Sequence, residues 1–146
     1  MFVVDTNILL YAAVEEFPQH DEARRLVERW RRETRPWFVT WSILYEFLRV
    51  ITHPKVFEHP LKLPDAWSFV AGLFDASSFR VLVETDRHAS VLEMLTAEYP
   101  KMAGNIVHDL HTAALMNEHG VTQICTADAE FHQFKFLRVV NPLSRS

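Results

Sequence analysis

Short apolar runs that alternate with longer stretches of helical periodicity constrain the fold of this 146-residue chain more than any other feature. One stretch, for example, places Ala23, Leu26, Val27 and Trp30 on one face of a helix. The apolar runs are short enough to be buried strands, and they lie at residues 2–4, 37–40, 79–83, 121–125 and 137–140. Strands that alternate with helices favour an α/β fold, with a central parallel β-sheet flanked by helices. No linker or repeat interrupts the pattern, so we expect one domain over residues 1–146.

Two acidic residues follow directly after predicted strands. The first apolar run leads into Asp5, in the segment FVVDTN, and Asp128 follows the fourth run. In parallel α/β sheets, sites form beyond the carboxyl ends of the strands, so both carboxylates are expected at the same edge. A surface Asp that merely ends a strand is the simpler interpretation of Asp5, and only the other acids of the chain can decide between the two.

Two further acids lie in predicted helices. Glu46 has Ile43 and Val50 on its own face, so the pattern places it in an apolar stripe, although a position at the edge of that stripe, open to solvent, is the alternative. Asp109 lies near the start of a helix predicted over residues 106–119, among small and polar neighbours. A first-turn Asp is also favoured by the helix dipole alone, without any function.

Taken together, these four acids predict a metal site. Two carboxylates about 4 Å apart repel each other by about 4 kcal/mol at an effective dielectric constant of about 20. A cluster of four is therefore costly unless a divalent cation neutralises it. Clusters that offer only oxygen ligands suit Mg²⁺ or Mn²⁺. The predicted metal ligands are Asp5, Glu46, Asp109 and Asp128.

Several segments then make a family resemblance specific. VVDTNILL, the Glu46 helix, VITHPKVF, GNIVHDLHTAALMNEHG and ICTADAEF occur in the order of a PIN domain. The chain resembles in particular the VapC-like ribonuclease toxins of bacterial type II toxin–antitoxin pairs. By position, the resemblance assigns supporting polar roles to Asn7 and Thr126. Many relatives carry Asp where this chain has Glu130. The resemblance therefore predicts that Glu130, with its longer side chain, contributes to metal binding less directly than the other acids. The resemblance assigns the catalytic, metal-binding acids to Asp5, Glu46, Asp109 and Asp128.

The resemblance implies an enzyme, a metal-dependent endoribonuclease. The acidic cluster would bind Mg²⁺ or Mn²⁺, and a water activated by the metal would hydrolyse RNA phosphodiester bonds, leaving 5′-phosphate and 3′-hydroxyl ends. A cognate antitoxin protein that inhibits the enzyme, and a homodimer, are implied in the same way.

Two other functions are compatible with parts of the sequence. A catalytically silent PIN-like module would bind RNA without cutting it, but the presence of all four acids argues against this hypothesis. A phosphotransfer domain of the haloacid-dehalogenase or response-regulator type would use Asp5 as its nucleophile. The dehalogenase-like pattern requires a second Asp two residues later, and Asn7 stands there.

Other polar features are interpreted as structural. His108 and His111 share a helix face, but no third zinc ligand follows at a recognisable spacing. The arginines between Arg24 and Arg35 are interpreted as a solvated helix face, because glutamates are interspersed among them, rather than as phosphate contacts.

Composition limits the remaining classes. Cys125 is the single cysteine, which excludes an internal disulfide and a cysteine-based zinc site. No apolar run approaches the roughly 18 residues of a membrane span, and Asp5 interrupts the region where a signal peptide would be apolar, so we expect a cytoplasmic protein. The formal net charge of −4 is unusual for a nucleic-acid-binding protein. Cations bound at an acidic site would offset part of it.

Overall fold

A five-stranded parallel sheet forms the centre of the molecule in this computed structural model, which describes residues 1–143. The strand order is β3-β2-β1-β4-β5, and every neighbouring pair is parallel. This confirms the predicted α/β architecture. The strands are β1 (Phe2–Val4), β2 (Trp37–Thr40), β3 (Phe79–Leu82), β4 (Gln123–Cys125) and β5 (Arg138–Val140).

Helices connect the strands, as the alternating pattern predicts. Within the described residues, no helix is long and apolar enough to cross a membrane. A short 3₁₀ helix follows β4 at Ala129–Gln133. The α-helices are α1 (Thr6–Ala13), α2 (His20–Arg32), α3 (Trp41–Ile51), α4 (Leu63–Phe74), α5 (His88–Glu98) and α6 (Ile106–His119).

The central strand β1 determines where the acidic residues lie. All three of its residues are buried, and it pairs with β2 on one side and with β4 on the other. Val4 is in register with Cys125, so the next residues along the two strands, Asp5 and Thr126, emerge side by side at the carboxyl edge. The backbone N–H of Asp5 donates to the carbonyl of Cys125 at 3.0 Å, which continues this pairing by one step.

Aromatic packing lies towards the amino ends of the strands. The Phe2 and Trp30 rings are 5.0 Å apart, and Trp37 lies 4.8 Å from Phe79. The indole N–H of Trp37 donates to the buried Ser78 hydroxyl at 3.1 Å. Each such buried aromatic side chain stabilises the fold by about 1.5–3 kcal/mol.

Two predicted helix starts are wrong, and side-chain contacts explain both. Thr40, and not Ser42, caps α3, since the Thr40 hydroxyl accepts from the N–H of Ile43 at 3.2 Å. Thr85 instead forms a turn before the helix: its hydroxyl accepts from the N–H of Arg87 at 3.1 Å and its carbonyl from the N–H of His88 at 3.0 Å. Its own N–H and hydroxyl donate to Glu118, at 2.9 and 2.8 Å. As a result α5 begins only at His88.

The predicted end of α6 is confirmed. Gly120 has φ 68°, in the left-handed region that glycine adopts without steric cost. The turn returns the chain into β4, whose end carries the Thr126–Asp128 segment.

Candidate active site and metal centre

Asp5 lies buried at the end of β1, with its carboxylate held by three donors. Its oxygens accept from the N–H of Thr6 at 2.8 Å, from the hydroxyl of Thr126 at 2.7 Å and from the side-chain amide of Asn7 at 3.3 Å. Burial raises the pKa of Asp5 to about 6; the bonds from Thr126 and Thr6 oppose this rise, and the nearby negative charges of Glu46 and Asp128 add to it. The site therefore holds a carboxylate in an environment that disfavours its charge.

Thr126 and Asn7 fix the two loops of the site to each other. The Thr126 hydroxyl accepts from the Asn7 amide at 3.1 Å and from the N–H of Asp128 at 3.0 Å, while donating to Asp5. The Asn7 side-chain oxygen accepts from the N–H of Ala127 at 3.1 Å. Both residues contact the acidic site directly, as is required for the supporting role predicted for them.

Three carboxylates converge beside Asp5. Oxygen atoms of Asp109, Asp128 and Glu130 all lie within 4.8 Å of one another. Burial is the largest of the effects that together raise the pKa of Asp109 to about 7; the others are, in decreasing order, the negative charges of Asp5, Asp128, Glu130 and Glu46. Helix α6 and the turn after β4, which are distant in sequence, thus bring their acids to one place.

Glu46 lies at the rim of this cluster and is exposed to solvent on α3. Its carboxylate accepts from the hydroxyl of Thr6 at 3.1 Å. The side chain does not lie in the buried stripe of the helix, where the sequence pattern placed it, but at the solvent-exposed edge of that stripe. Its charge still raises the pKa of both Asp5 and Asp109, so it belongs to the same electrostatic group.

The cluster fits a divalent cation. Oxygen ligands of an octahedral Mg²⁺ ion, bound at about 2.1 Å, lie about 3 Å apart when adjacent and about 4.2 Å apart when opposite. The three converging carboxylates need only small side-chain movements to meet these distances, and Mg²⁺ completes its shell with water. Burial first, and then the neighbouring negative charges, raise the pKa of Asp5 and of Asp109, and a bound cation would favour the charged form of both carboxylates.

Sequence patterns did not reveal a second polar cluster. Glu84, His88 and His111 form a group whose ligand atoms also lie within 4.8 Å of one another. The buried Glu118 contacts His88 at 2.6 Å. His111 and Glu118 lie more than 20 residues after Glu84 and His88 along the chain. The available signal was that His111 and Glu118 are seven residues apart and therefore share one face of α6.

Comparison with known proteins gives consistent results. A family model described as "PIN domain" matches residues 2–137. The chain is 34% identical over 143 residues to ribonuclease VapC43 of Mycobacterium tuberculosis, with 98% of this chain and 96% of that protein covered. It is 31% identical over 140 residues to ribonuclease VapC48 of the same organism, with 96% of each chain covered.

Two solved structures share the fold. The crystal structure of M. tuberculosis VapC20, a toxin that cleaves the sarcin–ricin loop, superimposes with a TM-score of 0.65 at 18% identity, covering 94% of this chain and 97% of that one. VapBC2 of Rickettsia felis, bound to a DNA fragment from its promoter, gives a TM-score of 0.67 at 15% identity, covering 95% and 96%. At these identities the superpositions show the fold alone.

Proposed function

Because the chain belongs to the PIN domain family, we propose that it is a metal-dependent endoribonuclease, the toxin of a VapC-type toxin–antitoxin pair. The observation that carries the proposal is the convergence of Asp109, Asp128 and Glu130 beside the buried Asp5. The curated relatives that are more than 30% identical to this chain over nearly its whole length are named ribonucleases. Their names support the same activity.

The proposed cofactor is Mg²⁺ or Mn²⁺, held by Asp109, Asp128 and Glu130 with Asp5 and Glu46 completing the negative charge around it. When bound, such an ion supplies an activated water and neutralises charge on the scissile phosphate. Asp5 is positioned for this role by Thr126 and Thr6, which fix both of its oxygens. The proposed catalytic residues are Asp5, Glu46, Asp109 and Asp128.

The test is cleavage of a defined RNA by the purified protein with Mg²⁺ or Mn²⁺, and with excess EDTA. We expect cleavage that requires the metal, 5′-phosphate ends that a ligase accepts, and continued cleavage of an RNA with a single 2′-deoxyribose at the scissile nucleotide. Asp109→Asn should reduce the rate by at least 100-fold, while Asp65→Asn, an exposed acid in the first turn of α4, should not change it.

Three results would contradict the proposal. Cleavage that persists in EDTA would exclude the metal mechanism. Cyclic 2′,3′-phosphate ends would show that the RNA hydroxyl is the nucleophile. Binding of RNA without cleavage of any sequence, by a protein that also binds Mn²⁺, would favour the silent RNA-binding module.

The surface offers a place for the proposed antitoxin. Exposed aromatic side chains lie on the outer faces of the adjacent helices α3 and α4, and the Trp41 and Phe74 rings stack at 6.1 Å. Tyr45 is one turn from Trp41 on α3 and is 69% exposed. Surface aromatic clusters of this kind are typical of protein interfaces. Because Tyr45 precedes Glu46, an antitoxin bound here would reach the rim of the acidic cluster.

A homodimer is proposed in addition. Sedimentation of the chain alone, and of the chain with its antitoxin, would test both partners. A wild-type monomer at all concentrations would exclude the homodimer, and unchanged antitoxin affinity in Tyr45→Ser and Trp41→Ser proteins would exclude the aromatic surface.

A further inference from the structure

Glu84, His88 and His111 come together from three separate parts of the fold. Glu84 follows β3, His88 is the first residue of α5, and His111 lies in α6. Their ligand atoms lie within 4.8 Å of one another, and the two imidazole rings meet edge to face with centroids 5.7 Å apart. Nε2 of His111 is 2.6 Å from a carboxylate oxygen of Glu84.

A buried carboxylate orients one of the two histidines. Glu118, whose side chain is 0% exposed, contacts Nδ1 of His88 at 2.6 Å. It also accepts from the N–H and the hydroxyl of Thr85, at 2.9 and 2.8 Å. Because the Glu118 carboxylate acts as an acceptor in these contacts, Nδ1 of His88 carries the proton of the bond between them. Nε2 of that ring is then left with a free lone pair.

The second histidine is oriented in the same manner. Nδ1 of His111 lies 3.2 Å from the Ser42 hydroxyl, which is itself 2.9 Å from the hydroxyl of Thr40. Without a metal, Nε2–H of His111 donates to the Glu84 carboxylate, and Nδ1 accepts from the Ser42 hydroxyl. A metal bound at Nε2 would displace that proton, and Nδ1 would then donate to Ser42. Histidine ligands of metals are commonly held in this way, with the other ring nitrogen bonded to a carboxylate or a hydroxyl.

We propose that Glu84, His88 and His111 form a second metal site, separate from the acidic cluster, that binds Zn²⁺ or another ion that prefers imidazole ligands. Two imidazole nitrogens and one carboxylate make a donor set that suits Zn²⁺, whereas the oxygen-only cluster suits Mg²⁺ or Mn²⁺. Water would occupy the fourth position.

The distances fit a tetrahedral ion after a small adjustment. Zn²⁺ ligands bound at about 2.1 Å lie about 3.4 Å from one another in tetrahedral geometry. The Glu84 oxygen therefore has to move away from His111 by somewhat less than 1 Å. Its side chain is 50% exposed and is free to do so.

The two metal sites lie on different sides of α6. Asp109 and His111 are two residues apart, so their side chains project about 200° apart around the helix axis. The second site instead joins the segment after β3 and the start of α5 to α6. An ion bound there would hold these three elements together.

The experiment measures binding of Zn²⁺ alone to the full chain, freed of any histidine tag. Titration calorimetry on the Asp109→Asn protein, in which the acidic cluster is weakened, should show one Zn²⁺ site. Substitution with Co²⁺ should give the strong visible absorption of a tetrahedral ion with nitrogen ligands. Introducing His111→Gln or Glu84→Gln into the Asp109→Asn protein should weaken Zn²⁺ binding at least 10-fold and remove the tetrahedral Co²⁺ spectrum.

The matched control is His108→Gln, which removes an exposed histidine one turn away on the same helix and should leave Zn²⁺ binding unchanged. Glu84→Gln changes an exposed side chain, so loss of binding in a variant with an unaltered circular dichroism spectrum reports the site and not the fold. The proposal fails if the Asp109→Asn protein takes up no Zn²⁺, or if Glu84→Gln and His108→Gln bind it equally well.

Discussion

Burial and the surrounding carboxylates raise the pKa of Asp109 in the folded protein without metal from its ordinary value of 3.8 to about 7. Between these two values the folded state binds more protons than the unfolded state. The free energy of unfolding therefore falls as the pH rises from about 4 to about 7. Asp5, with its pKa raised to about 6, contributes in the same direction. The acidic site thus lowers the stability of the metal-free protein at neutral pH.

The first prediction follows for Asp109→Asn. In EDTA, urea unfolding of the wild type should show lower stability at pH 8 than at pH 5, and the variant should lose much less over the same range. At pH 8 we expect the variant to be more stable by on the order of 1–2 kcal/mol, less than the pKa shift alone implies because water and salt screen the cluster. Asp65→Asn is the control. Parallel pH profiles for wild type and Asp109→Asn would show that Asp109 is not under repulsion.

The second prediction is that Asp128 contributes more to RNA cleavage than Glu130 does. Asp128 is half-buried and accepts from the N–H of Glu130 at 2.9 Å, so it both lines the cluster and caps the 3₁₀ helix. Glu130 is exposed, and its longer side chain reaches the cluster from outside. Asp128→Asn should therefore reduce RNA cleavage more than Glu130→Gln, by at least 10-fold in rate. Rates measured at saturating Mn²⁺ provide the comparison, and equal losses would show that the two acids act as equivalent ligands.

At the scale of elements, the junction of β4 with the 3₁₀ helix depends on one hydroxyl. Thr126 is 1% exposed, and its side chain bonds to Asp5, Asn7 and the N–H of Asp128. Valine has nearly the same shape as threonine but no hydroxyl, so at this position it would leave all three groups without this hydrogen-bond partner. Such losses of buried hydrogen bonds cost about 1–3 kcal/mol.

The third prediction therefore compares Thr126→Val with Thr126→Ser. The valine should lower the free energy of unfolding by about 1–3 kcal/mol and reduce cleavage strongly, because Asp5 and Asp128 lose a common anchor. The serine retains the hydroxyl and should keep most of the activity. Urea unfolding and cleavage rates of the two proteins test this pair. If serine and valine are equally inactive, the methyl group and not the hydroxyl is what the site requires.

Sequence patterns predicted those elements whose signals are local. The short apolar strands and the glycine that ends α6 depend on neighbouring residues, and the structure has them where the pattern placed them. The start of α3 was misplaced because Thr40, two residues before Ser42, is an equally suitable local cap. Before α5, Thr85 is bonded to Glu118, which is 33 residues away, and no local pattern contains that information.

The residues of the candidate site also divide into those that sequence and topology predict and those that depend on tertiary packing. Topology alone brings Asp5 and Asp128 to one edge, because both follow strands of a parallel sheet. For Glu46 the sequence left two positions open, the apolar stripe and its solvent-exposed edge, and the structure has the second, since the choice depends on how α3 rotates against the sheet. The Glu84–His88–His111 group was not found either, because its members come together only through the packing of α5 on α6.

For the whole molecule, charge is divided between the two edges of the sheet. The acids gather at the carboxyl ends of β1 and β4. The Arg35 guanidinium lies 4.9 Å from the centre of the Phe2 ring, at the start of β1. On α2, Arg31 pairs with Glu28 at 3.0 Å, and Arg29 pairs with Glu33, just after the helix, at 3.6 Å. These contacts support the interpretation of the arginines as a solvated face.

The fourth prediction concerns the stability of the whole chain in the presence of metal. A cation that binds the folded cluster and not the unfolded chain stabilises the fold by about 2.7 kcal/mol at about 100 times its dissociation constant. For a domain of this size, Mn²⁺ should raise Tm by roughly 5–10 °C. Asp5→Asn should reduce this Mn²⁺-dependent rise in Tm. Melting curves at constant ionic strength, with NaCl replacing MnCl₂, are the measurement, and no shift in the wild type would show that the cluster binds no metal under these conditions.

The convergence of acids at one edge also determines the order in which ligands arrive. RNA brings a row of phosphates, and an edge that holds several unneutralised carboxylates repels it until a cation is in place. If the chain is the proposed metal-dependent ribonuclease, we expect the ion to bind before the nucleic acid and the metal-free protein to have little affinity for RNA. Activity would then follow the concentration of free divalent ion in the cell as well as the amount of enzyme, so that a chelator would act on the first step of the catalytic cycle and not on the last.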